Sequence, residues 1–173
     1  MELAVYYLSL AGFCFLNIVA AIGDVRRFII PNWISIALVA LYPFYALTTP
    51  IPFSITPAFL AAGIAFGVGF ALFALGLFGG GDVKMLTAVA LWAGSSHLMD
   101  LLLVTVLAGG LVALVVVACH AGRRMRRSAT AGSAPGLSGR QLFNHKIAVP
   151  YGVGIAIGGI ALLAEMPLPG LLD

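Results

Sequence analysis

The chain has 173 residues, of which 62% are hydrophobic and 9% charged, with a mean hydropathy of +1.11. That composition leaves too little polar surface to coat a water-soluble globule. A transmembrane helix uses about 20 apolar residues, so the length accommodates six helices and their loops but no separate soluble domain. The formal charge of +3 and pI near 9.1 do not point to nucleic acid, because no basic groove can form where most of the surface faces lipid. The charge reads as a topology signal.

Apolar runs cover residues 3–22, 33–48, 56–78, 83–93, 98–119 and 147–163, which predicts an all-α, polytopic membrane protein: a six-transmembrane-helix bundle forming one domain over 1–173. The first run lacks the basic flank and small-residue cleavage site of a removable signal peptide, so it is expected to remain as a helix. The second and fourth runs are short for a full span. The connections are 23–32, a Pro-containing turn at 49–57, 79–82, a turn at 94–97, and a long small-residue and polar segment at about 120–146, expected to be a flexible cytoplasmic loop. With six spans, the first, third and fifth connections share one side, and all nine Lys and Arg residues lie within them or, for Lys84, just beyond the third. The positive-inside rule makes that side cytoplasmic and both termini periplasmic. The Arg cluster from Arg123 to Arg127 fits this role, with contact to anionic lipid as a lesser possibility.

Among the acids, Asp24 and Asp82 alone stand on the basic side, each at the edge of an apolar run. An acid at the margin of hydrocarbon costs a few kcal/mol without water or a partner, which makes the pair a functional candidate. Each also has a plainer reading: Asp24 as a helix-ending carboxylate beside Arg26 and Arg27, Asp82 as a helix cap. The preceding Gly79, Gly80 and Gly81 are harder to explain as a simple cap, since consecutive glycines raise the entropy lost on ordering. A side-chain-free backbone gives access, and an extended peptide can pair along it. The stretch lacks the GK[ST] ending of a phosphate loop and has an acid where phosphate would sit. Lys84 is a secondary substrate-binding candidate, with a snorkelling role as its alternative.

Cys14 and Cys119 lie in separate apolar runs, which excludes a CxxC module or a disulfide framework. His97, His120 and His145 are dispersed without HExxH spacing, so neither a metal site nor a cofactor is expected. Gly63-xxx-Gly67 and Gly154-xxx-Gly158, with Gly109-xxx-Ala113 between them, have the spacing at which small residues let helices approach closely.

Asp24 with downstream Ile30-Pro31-Asn32, the run Gly79-Gly80-Gly81-Asp82-Val83-Lys84-Met85-Leu86, and Val149-Pro150-Tyr151-Gly152 together resemble the type IV prepilin peptidase family of GxGD-type aspartic peptidases. The resemblance implies an endopeptidase that removes the leader of a prepilin or pseudopilin at the cytoplasmic face of the inner membrane, with Asp24 and Asp82 matching the catalytic pair. Larger members carry a cysteine-bearing zinc region and methylate the new amino terminus. This chain lacks those cysteines, so cleavage without methylation is expected, as in the compact peptidases of tight-adherence (Flp) pilus systems. The competing reading from another class is a small proton- or cation-coupled transporter using the same two acids. It explains intramembrane carboxylates, but accounts less well for both standing at one face rather than at the midplane.

Overall fold

The computed structural model describes residues 1–50, 54–130 and 149–166. The described chain is helical, without strands. It comprises α1 (Glu2–Arg27), α2 (Asn32–Thr48), α3 (Ile55–Ala74), a helical stretch Gly80–Thr130, and α6 (Tyr151–Ala161), followed by a short 3₁₀ turn Leu162–Ala164. The long stretch breaks at Gly94, whose φ of 60° and ψ of −178° are not helical, and so divides into α4 (residues 80–93) and α5 (residues 95–130). Glycine tolerates this backbone because it has no Cβ to collide with the preceding carbonyl. Three stretches, Glu2–Arg27, Ile55–Ala74 and Gly80–Arg123, are long and apolar enough to cross a membrane by length and composition. Asn32–Thr48 and Tyr151–Ala164 are shorter apolar helices.

Several boundaries differ from the sequence expectation: α3 ends at Ala74 and not at residue 78, α4 starts at Gly80 so that Asp82 lies within it, and of the turn expected at 94–97 only Gly94 is non-helical. The first helix does not stop before Asp24 but runs on to Arg27, because Asp24 occupies the same stripe as Tyr6, Leu10, Phe13, Asn17 and Ala20, all of which face the interior. The fifth helix continues beyond residue 119 to Thr130. Ala121, Arg123, Arg124, Met125, Arg126 and Arg127 have high helix propensity, so polarity alone did not end the helix. The rest of the expected loop lies outside the described residues.

Packing of the last helix follows the small-residue spacing. A Cβ placed on Gly154 would stand 2.8 Å from the backbone nitrogen of Gly109, and one on Gly158 would stand 2.5 Å from Thr105 Oγ1. The backbones of α6 and α5 therefore meet almost directly, which is where such residues gain dispersion contacts that bulkier ones forfeit. On its other side α6 reaches α1 and α4, since a Cβ on Gly159 would fall 2.8 Å from Asn17 Oδ1 and 3.0 Å from a Val89 methyl. Gly63 and Gly67 of α3 behave differently: nothing described lies within 4 Å of a Cβ at either position.

Candidate active site

Asp24 sits one turn before the end of α1, and its side chain is drawn inward by the helical register; the residue is 5% exposed. A buried carboxylate needs partners, and it finds one across the molecule. The backbone N–H of Gly152 donates to Asp24 Oδ2 at 2.7 Å. Gly152 lies in the first turn of α6, after Pro150 at the N-cap, so the bond uses an amide that the helix itself leaves unpaired. Asp24 thus caps another helix, with the positive end of that helix's dipole directed at its carboxylate.

Asp82 is held by the same physics within its own helix. Gly79 precedes α4, and its N–H donates to Asp82 Oδ2 at 3.0 Å. This is the returning half of a capping box, in which a side chain in the first turn reaches back to the N-cap amide. Asp82 thus stabilises the helix start from the third helical position and not as the N-cap residue that the sequence suggested, and it lines the cavity as well. Two helix N-termini, those of α4 and α6, converge on the two acids.

Asp24 and Asp82 line one cavity of about 540 Å³, together with Phe28, Ile29, Ile30, the segment 76–81, Val149 and Tyr151. Ile30, 6% exposed, is the wedge that fixes this geometry. A Cβ on Gly81 would lie 3.3 Å from both the Cβ and the carbonyl oxygen of Ile30, and a Cβ on Gly152 would lie 2.6 Å from Ile30 Cδ1 and 2.8 Å from Asp24 Oδ2. Glycine at these two positions lets α4 and α6 close on the α1–α2 connection, and that closure brings the acids to one space.

The glycine run differs from the extended strand that the sequence suggested. Gly80 and Gly81 form the first turn of α4, and the Gly79 amide is engaged by Asp82. Gly79, Gly80 and Gly81 do line the cavity, so they border the acids as helix start and not as a ribbon. Lys84 is not brought to them. Its Nζ donates to Asn32 Oδ1 at 2.9 Å, and it lines a separate groove with Ser35, Ile36, Val39 and Ala40 on α2. A helical register explains this: Lys84, two positions after Asp82, projects from a different face of α4.

Two site residues escaped the sequence reading. Gly152 acts through its backbone amide; in the sequence it stands only as the end of the motif Val149-Pro150-Tyr151-Gly152, with no role attached to it. Phe28 follows α1 in the left-handed region, with φ 52° and ψ 31°, and its N–H donates to the Asp24 carbonyl at 2.8 Å. Nothing in Arg26-Arg27-Phe28 announces that conformation, which glycine usually supplies.

Among the described residues no group of three or more His, Cys, Asp or Glu side chains is placed to hold a metal. The arrangement is instead a water-accessible pocket with two carboxyl groups, each oriented by a backbone amide, a set able to move protons at a substrate bond. No curated protein and no solved structure matches the chain. The type IV leader peptidase family matches residues 11–114, a span that includes Asp24, Asp82 and the intervening glycines and ends before Gly152. That match extends over more than half of the sequence and agrees with the apolar helices of a membrane protein: the chain belongs to the type IV leader peptidase family and is a membrane peptidase acting on prepilin-type substrates.

Proposed function

We propose that the chain is a GxGD-type aspartic endopeptidase in which Asp24 and Asp82 cleave the leader from Flp-like prepilins or pseudopilins at the cytoplasmic face of the inner membrane. The observation that carries this reading is the shared cavity: two acids separated in sequence by the whole of α2 and α3 line one pocket, each oriented by a helix-terminal amide. In the reaction, the ionised carboxylate takes a proton from water, and the water oxygen attacks the scissile carbonyl carbon. The protonated partner hydrogen-bonds the carbonyl oxygen and stabilises the tetrahedral oxyanion. The C–N bond then breaks, and the leaving amine takes a proton from the pair. No acyl-enzyme forms, and the two carboxyls titrate as a unit.

A six-span arrangement with periplasmic termini follows from the distribution of Lys and Arg and puts the acid pocket on the cytosolic side. A prepilin has a polar leader followed by an apolar helix, so its cleavage point lies at the membrane surface, where these residues stand. Cleavage without methylation is supported by a sequence with two cysteines, Cys14 and Cys119, both in helices.

Co-expression with pilins bearing candidate leaders tests the proposal, with the product mass reporting both leader loss and methylation. Leader removal with an unmethylated amino terminus is expected. Ion flux in proteoliposomes without any peptide cleavage would instead establish the transporter reading.

A further inference from the structure

Among the described residues, Phe28 is the one non-glycine residue with positive φ. A bulky side chain is an outlier in that region, and such conformations persist where something else compensates for them. Core packing does not compensate here: Phe28 is 52% exposed, and the neighbouring apolar residues Ile29 and Leu77 are 65% and 58% exposed. All three line the cavity that holds the acids, next to Phe78 and Tyr151, whose rings pack with centroids 5.1 Å apart. The conformation turns the chain sharply after α1 while keeping an aromatic side chain beside Asp24, four residues earlier. A glycine would make the turn more easily and leave the mouth of the cavity without that ring.

We infer that Phe28 is a specificity-determining residue: with Ile29 and Leu77 it forms an apolar wall that receives the apolar side chain immediately following the cut in the substrate. This rests on the dyad reading above, because it takes the cavity to be where the peptide bond is broken. The wall is the apolar counterpart of the two carboxyls. One side of the pocket activates water, and the other desolvates the start of the substrate's hydrophobic segment and fixes which bond lies over the acids.

The test uses the full chain in lipid nanodiscs and a pair of prepilin substrates with Phe or Ala directly after the cut. In F28G and F28A the ratio of kcat/KM for the Phe substrate over the Ala substrate falls by about tenfold or more, whereas F28L keeps it within about threefold. F28G also raises the midpoint of thermal unfolding by about 2–4 °C, because glycine relieves the left-handed turn, while F28A does not. A ratio unchanged in both F28G and F28A overturns the inference, as does an equal loss on both substrates accompanied by less inserted protein, the result expected of an interfacial anchor. A second measurement does not depend on turnover. A photo-crosslinking side chain after the cut, presented to D82N, attaches at residue 28, 29 or 77, and attachment confined elsewhere overturns the wall. Retained cleavage in D24N or D82N with an intact ratio and crosslink removes the dyad alone. Loss of cleavage in both with an unchanged ratio in the Phe28 variants removes the wall alone.

Discussion

At the end of the bundle near Tyr6 and Trp92, helices are joined by rings. Phe13 and Trp92 lie with centroids 4.4 Å apart, Tyr45 and Trp92 5.0 Å, and Tyr6 and Tyr45 5.6 Å, while Trp92 Nε1 donates to the Leu38 carbonyl at 3.0 Å. At the end with Asp24 and Asp82, helices are joined by the near absence of side chains: Gly81 and Gly152 press on Ile30, and backbone amides hold the carboxyls. Large rings fill volume and fix one packing. Glycines and amides define positions while leaving a cavity of about 540 Å³, against about 230 Å³ beside the ring cluster. The contrast separates residues that keep the bundle together from residues that keep the acids in place.

Substitutions break this contrast in graded ways. The largest effect is expected from D24N and D82N, each of which lowers cleavage by more than about 10³-fold while insertion into the membrane is unchanged, as scored by product mass and membrane fractionation. Next comes G152A. Its Cβ would intrude on Asp24 Oδ2 and Ile30 Cδ1, and a displaced carboxylate costs about 10²-fold in kcat/KM; a fall in kcat with KM little changed marks it as a positioning defect. At the other end W92A acts on stability instead. Loss of a residue that is 4% exposed lowers the unfolding free energy by about 3 kcal/mol, measured by reversible denaturation in mixed micelles, while turnover per folded molecule stays within about twofold of wild type. The smallest effect is K84Q, whose amine meets Asn32 in a different groove; cleavage changes by less than about threefold.

The sequence made the helices legible because hydropathy records what lipid and the bundle interior both require. The short fourth run corresponds to α4 because Gly94 interrupts the backbone, and the acid pair was legible because carboxylates are costly near hydrocarbon. Helix ends were less so. Asp24 lies inside α1 and not after it, since an acid on a buried stripe with a partner 128 residues away satisfies itself through tertiary structure that no local pattern contains. The same reason hid the role of Gly152, whose contribution is a main-chain amide that every non-proline residue owns. Gly79, Gly80 and Gly81 were recognised as unusual, but an extended ribbon and a helix start call for the same residue, and only the helical bonds of Gly79, to Asp82 Oδ2 and from the Val83 amide, distinguish them. Lys84 looked near the acids in sequence, and the 3.6-residue turn carried it to another face.

The link between Asp24 and the amide of Gly152 has a bearing on how the molecule is made. Asp24 leaves the ribosome 128 residues ahead of its partner. Until α6 is threaded into the bilayer and docked, the acid lacks its tether and the pocket lacks the wall formed by Val149 and Tyr151. A chain interrupted before Val149 would therefore hold Asp24 without its amide and leave the cavity open on that side.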